Sequence, residues 1–239
     1  MRSAVPIDVE PRVADLREGP SMSAETLAVL ISGGLDSAIL LGDALRHAAD
    51  VVPIYVRCGL TWEAVELTYL QRYLESLRLP LLKPLVILDQ PVSDVYGSHW
   101  SIIGKNVPDA DSPDEAVFLP GRNVLLLAKP LLWCHLHSVP ALALGSLQTN
   151  PFPDATAEFF HGFARLVSRA VGGKVEVRLP FGGMKKAAVM KLGGGLPLEH
   201  SFSCIAPIDT RHCGRCNKCA ERKKAFADAS MADPTRYAG

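Results

Sequence analysis

Residues Leu30–Ser37, LISGGLDS, end an apolar run, turn through two adjacent glycines and restart as AILLGDALRHA, an apolar pattern of helical spacing. A strand that delivers Ser-Gly-Gly-x-Asp-Ser into a helix start gathers unpaired backbone N–H groups, two hydroxyls and a helix dipole's positive end around one concavity. Glycine at 33 and 34 lets the main chain approach an anion with no Cβ in the way, while Ser32 and Ser37 offer hydroxyl donors. Ser32, Gly33, Gly34, Leu35, Asp36 and Ser37 are therefore the candidate phosphate cradle. Asp36 is its odd member, because a carboxylate repels phosphate unless a divalent cation lies between them; magnesium is the natural mediator. The competing reading is a plain βα turn in which Asp36 or Ser37 caps a helix.

Outward from this loop, Val-, Ile- and Leu-rich runs at 27–32, 51–56, 82–88, 141–145 and 174–179 read as strands. Between them, 35–48, 62–77, 123–137 and 155–171 space their apolar residues at three and four, as helices lying on a sheet do. The alternation predicts an α/β fold with a doubly wound, parallel, five-stranded sheet. At Gly193 the texture becomes glycine-rich and turn-like, so three segments are expected: an extension over 1–25, an α/β domain over 26–195, and a small cysteine-bearing module over 196–239 whose residues 217–229 are helical.

Composition narrows the function classes. The chain has 239 residues, 48% of them hydrophobic and 21% charged, the balance of an ordinary globular protein. Lys+Arg and Asp+Glu are equal at 25 each, so no overall field steers the molecule toward polyanions, and nucleic acid is not the expected partner. The start carries no secretory pattern. The most apolar later stretch, 124–133, contains Lys129 and Pro130 and is too short for a membrane span. A cytoplasmic location is expected.

Four of six cysteines fall between positions 204 and 219. Cys204, Cys213, Cys216 and Cys219 have the spacing C-x8-C-x2-C-x2-C, which suits four thiolates closing a tetrahedron around structural Zn²⁺; an iron–sulfur cluster is the rival. Arg211, Arg215, Lys218, Arg222, Lys223 and Lys224 stand nearby to offset the thiolate charge. Cys58 and Cys134 lie in apolar surroundings and read as buried small hydrophobes.

The string S-G-G-x-D-S resembles the loop of the PP-loop ATP pyrophosphatases, adenine nucleotide alpha hydrolase-like enzymes that cleave ATP between its α and β phosphates. The G-x-x-x-x-G-K-[ST] string of kinase-like loops is absent. LISGGLDS, FLPGRNVLLLA at 118–128, KKAAVMKLGGGLPLEHSFSC at 185–204 and the four-cysteine tail occur in the order found in the 7-cyano-7-deazaguanine synthase family, which the chain resembles from residue 27 to about 227. That resemblance implies adenylation of 7-carboxy-7-deazaguanine by Mg·ATP, displacement of AMP by ammonia, and a second ATP-driven step to the nitrile. It implies roles for the loop residues 32–37 on ATP, for Lys186 on the α-phosphate or leaving group, and for Arg122 and Asn123 on nucleotide or substrate; it also suggests a homodimer. Lys185 beside Lys186 leaves the acting lysine open, and an ordinary turn with a cap competes for Arg122 and Asn123.

Two departures bear on the acceptor. The family's Y-G-Q-x-H gives way to Arg57-Cys58-Gly59-Leu60-Thr61-Trp62-Glu63, and its Y-P-D-C-R-x-E-F gives way to PFPDATAEFF, with Ala155 and Thr156 in place of cysteine and arginine. One alternative is a divergent amide ligase passing the adenylated carboxylate to another amine, such as one on a protein. A second is a tRNA-modifying enzyme of the same fold using its basic tail as an RNA-binding finger. A third is a non-catalytic zinc adaptor.

Overall fold

The computed structural model describes residues 25–148 and 150–239; the expected extension lies, apart from Glu25, outside them. Five strands form one parallel sheet: β1 (Leu27–Leu30), β2 (Val51–Arg57), β3 (Val86–Asp89), β4 (Ala141–Ala143) and β5 (Glu176–Arg178), in the spatial order β3-β2-β1-β4-β5. Leu27 pairs with Val51 on one side and with Ala141 on the other, so β1 is the centre of the sheet. The helices are α1 (Leu35–His47), α2 (Glu63–Leu77), α3 (Ser93–Tyr96), α4 (Trp100–Ile103), α5 (Arg122–Leu136), α6 (Ala157–Val171), α7 (Lys186–Leu192) and α8 (Asn217–Asp228). Among the described residues no helix is long and apolar enough to cross a membrane.

The near-continuous apolar character of β1 and β2 follows from coverage on both faces. Successive residues point to opposite sides: Val29, Val51 and Tyr55 join the core under α1, α2, α7 and α8, whereas Ala28, Val52 and Ile54 join the core under α5 and α6. The expected doubly wound sheet is present. From β1 the chain runs outward to β2 and β3, then returns to the opposite side as β4, so the strand order reverses between β1 and β4. In open α/β sheets a crevice opens at the carboxyl ends of the strands at such a point.

One strand differs from expectation. The run 82–88 pairs regularly only from Val86, and Leu82 makes an isolated bridge to Val51. Pro84 lies between them and has no N–H to donate to the ladder. The expected helix over 155–171 begins at Ala157, after a 3₁₀ turn over Pro153–Ala155.

The cysteine segment is welded to the sheet. Cys204, Cys213, Cys216 and Cys219 share a third apolar cluster with Val56 of β2 and with Cys58, Leu60 and Trp62 beyond its end, and Phe226 of α8 sits in the core beneath α1. Asp109 bridges to Cys216, and Asn217 donates from its backbone to Pro108 and from its side chain to Ser112. Cys58 and Cys134 are both buried.

Candidate active site

The loop between β1 and α1 is held in shape by its own residues. Gly33 has φ +79°, a conformation that glycine adopts without strain, and its carbonyl accepts from Phe202 N at 2.7 Å. Ser32 N donates to Ser37 Oγ at 3.2 Å, and Ser37 Oγ donates to Gly34 O at 3.0 Å. Gly34, not Asp36 or Ser37, is the N-cap of α1, and no side chain caps it. The first-turn N–H groups are thus left for an anion. Gly145, just past β4, completes the crevice: a Cβ there would lie 3.2 Å from the backbone carbonyl carbon and oxygen of Asp36, so a larger residue would push the two chain segments apart by a few tenths of an ångström.

The crevice opens into a cavity of about 350 Å³ that Ser32, Gly34, Leu35, Asp36, Ser37, Arg122, Asn123 and Lys186 all line. Lys186 Nζ lies 2.7 and 2.8 Å from the two oxygens of Asp36, spanning 150 positions of sequence. Of the two adjacent lysines, Lys186 reaches the loop, while Lys185 is the N-cap residue of α7. Lys218 and Glu221 of α8 form a second ion pair at 2.6 Å on the cavity wall. Burial alone would raise the Glu221 pKa, but the attraction of Lys218 and Lys186 outweighs it and holds the carboxyl below its ordinary range.

Tyr55, Glu63, Glu66 and Arg122 also line the cavity, with Glu66 packed beside Gly33 of the loop; of these, sequence reading singled out only Arg122. Glu63 is engaged by the backbone, accepting from Cys58 N at 2.6 Å and Gly59 N at 2.9 Å. Glu66 accepts from the Tyr55 hydroxyl at 2.6 Å. Burial pushes the Glu66 pKa up to about 7 against the opposing pull of that hydrogen bond and of the Arg122 guanidinium. Arg122 makes no ion pair among the described residues, and its Nε is buried without a hydrogen-bond partner. The available signal was a pair of glutamates three apart in the first turn of α2, one helical step on one face, which the apolar periodicity overshadowed.

Asn123 has a different setting. Its backbone N–H donates to Asp154 Oδ2 at 3.0 Å and its side-chain amide to Asp154 O at 2.9 Å. Gly121, at φ +73°, is the N-cap of α5 and supplies no side chain, so Asp154 caps the helix from 31 residues away. This lock joins the PGRN turn, which carries Arg122, to the PFPDATAEFF segment. Thr156 accepts from Phe159 N at 3.1 Å and caps α6.

The cysteines converge as their spacing implied. All four Sγ atoms lie within 4.8 Å of one another, and the Cys204–Cys216 and Cys213–Cys219 pairs are 3.8 and 3.9 Å apart. A tetrahedron with metal–sulfur bonds of about 2.3 Å has sulfur–sulfur edges of about 3.8 Å, so the donor set fits a single ion. Backbone N–H groups of Ala206 and Cys213 point at Cys204 Sγ, and those of Arg215 and Cys216 at Cys213 Sγ, the arrangement that supports thiolate charge. Several of the basic neighbours have local partners: Lys218 pairs with Glu221, Lys224 with Asp228, Lys223 donates to Gly214 O, and Arg222 is buried.

Comparison with known proteins identifies the family. The family model described as "Queuosine biosynthesis protein QueC" matches residues 26–230. The chain is 31% identical to the 7-cyano-7-deazaguanine synthase of Saccharophagus degradans, over 91% of this chain and 100% of that protein. It is 28% identical to the synthase of the same name from Anaeromyxobacter dehalogenans, over 90% and 97%, and 29% identical to that of Solidesulfovibrio magneticus, over 87% and 94%. With a phosphate-type loop at the strand-order reversal, a four-sulfur centre behind it and a match across 26–230, the chain belongs to the queuosine biosynthesis protein QueC family.

Proposed function

We propose that this chain is an ATP-dependent synthase that converts the carboxylate of 7-carboxy-7-deazaguanine to the nitrile. A carboxylate oxygen attacks the α-phosphorus of ATP, the bond to the β-phosphate breaks, and pyrophosphate leaves. Ammonia then attacks the acyl carbon and AMP departs, giving the amide. The amide oxygen attacks a second ATP in the same way; loss of two protons and AMP leaves the carbon–nitrogen triple bond.

The observation that supports this reading is that the S-G-G-x-D-S loop, the Lys186–Asp36 pair and the unpaired Arg122 all face one cavity. The α1 N-terminus and the serine hydroxyls supply donors for the pyrophosphate portion. Asp36, a hard oxygen donor beside the phosphate position, fits a magnesium ion, which when bound would offset phosphate charge. Lys186, held on Asp36, is placed to meet the α-phosphate. Arg122 offers a cation with no ion-pair partner among the described residues. The cysteine centre supplies four thiolates to zinc with no open position, so it serves as scaffold rather than as Lewis acid.

Incubation of the purified protein with α-labelled ATP, 7-carboxy-7-deazaguanine and ammonia tests the assignment. Formation of AMP and pyrophosphate with a nitrile product by mass is expected; ADP and orthophosphate alone would overturn it. Because Thr156 stands where relatives of this type carry arginine, a second reading is retained: an amide ligase that hands the activated carboxylate to another amine. AMP formation with a stable amide and no nitrile would select it.

A further inference from the structure

The stretch of cavity wall formed by Tyr55, Glu63, Glu66 and Arg122, which meets the phosphate loop at Gly33, carries opposite charges that form no ion pair with one another. Glu66 keeps acceptor capacity after taking the Tyr55 hydroxyl, whereas Glu63 beside it is occupied by two backbone N–H groups. Arg122 exerts its field on Glu66 yet makes no ion pair with it, and its Nε is buried and unpaired. A buried guanidinium N–H without a partner is costly in isolation, so this edge is shaped for something that enters.

A guanine-type lactam edge presents, in order, an oxygen acceptor, a ring N–H and an amino group. Its complement is a donor followed by two acceptors, which a guanidinium beside a carboxylate provides; one carboxylate takes two parallel N–H groups in bidentate fashion. The corresponding edge of adenine presents an amino donor and a ring-nitrogen acceptor. Against Arg122 and Glu66 it would set donor on donor and acceptor on acceptor.

We propose that Glu66 and Arg122 read the lactam edge of the deazaguanine substrate, Glu66 accepting from the ring N–H and amino group and Arg122 donating to the ring's exocyclic oxygen, and that this pair selects the acceptor from ATP's own purine. The ring's identity rests on the proposed function; the donor–acceptor complement is read from the cavity wall. Tyr55 is a positioning residue that holds the Glu66 carboxylate.

Calorimetric binding of 7-deazaguanine, which has the edge but no carboxylate to activate, separates this inference from the chemistry. The wild-type protein should bind it at least tenfold more tightly than 7-deazahypoxanthine, which lacks the amino group. Glu66→Gln turns one acceptor oxygen into a donor amide of the same shape. It should weaken 7-deazaguanine binding at least tenfold, abolish discrimination between the two bases, and raise KM for the acid without changing KM for ATP. No binding of 7-deazaguanine by the wild type, equal binding of both bases, or a Glu66→Gln defect confined to ATP would overturn the proposal. Glu66-dependent base binding in a protein that forms no AMP would sustain the edge reading and remove the proposed reaction instead. Tyr55→Phe, which removes the hydroxyl that holds the Glu66 carboxylate, should reduce the discrimination without abolishing it.

Discussion

Lys186 Nζ contacts both carboxylate oxygens of Asp36, at 2.7 and 2.8 Å, with the two side chains 23% and 29% exposed. Ion pairs with this much solvent contact contribute about 1 kcal/mol or less to stability. The pair therefore matters chiefly at the mouth of the phosphate loop, where it holds a cation and an anion 150 residues apart within one hydrogen-bonding distance.

Asp36→Ala should lower AMP formation by about 10²–10³-fold, the scale of losing one preorganised electrostatic group, while moving the thermal midpoint by only a few degrees. Lys186→Ala should behave similarly. The double variant should be no worse than the more damaged single variant, because the two groups act as a unit. Pyrophosphate release and thermal unfolding on the same preparations check this; full turnover in Asp36→Ala would remove the loop assignment.

Cys216→Ser removes one of four sulfur donors from a closed site packed against Val56, Leu60 and Trp62. Apparent zinc binding of about 10–16 kcal/mol in structural sites is comparable with a whole domain's stability, so the variant should be insoluble or rapidly cleaved by protease. Metal analysis of the wild type should return one zinc per chain. A soluble, protease-resistant and active Cys216→Ser protein would contradict the scaffold role.

Asp154→Ala deletes the acceptor that caps α5 and leaves the Asn123 N–H without its partner. Loss of such a cap costs about 0.5–2 kcal/mol, which for a chain of this size lowers the thermal midpoint by roughly 1–8 °C. Arg122 is the next residue toward the helix start, so KM for the acid should rise while KM for ATP stays near its wild-type value. An unchanged midpoint would show that the cap does not carry the turn.

Much of this arrangement is legible in one dimension because it is local. The loop 32–37 is contiguous, the strands β1 and β2 are covered on both faces and read as apolar runs, and three of the four cysteines fall within seven residues. What escapes is tertiary. Asp154 reaches across 31 residues to cap α5, and a sequence shows only that Gly121 brings no cap of its own. Glu63 and Glu66 look like solvent-facing positions of an amphipathic helix until β2 and the PGRN turn are folded against them. Lys185 and Lys186 are equivalent as letters; the start of α7 decides which one faces Asp36. Pro84 was visible, yet the run of leucines around it concealed where the β3 ladder begins.

The same wall makes a pH-dependent stability term. Burial raises the Glu66 pKa from the ordinary carboxyl range to about 7, so between roughly pH 4.5 and 7 the folded protein binds this proton and the unfolded chain releases it. Folding thus favours the protonated form. The contribution is complete below the unfolded pKa, is lost as pH rises through about 7, and stays lost above it. Its size is about 1–3 kcal/mol, the upper end being the full shift and the lower end allowing for the open cavity face. Glu66→Gln cannot ionise and keeps the shape. Urea midpoints should therefore be similar for the two proteins near pH 5 and higher for Glu66→Gln near pH 8. Parallel midpoints across that range would mean that Glu66 titrates as an ordinary surface carboxylate and that the wall is wetter than its hydrogen bond from Tyr55 implies.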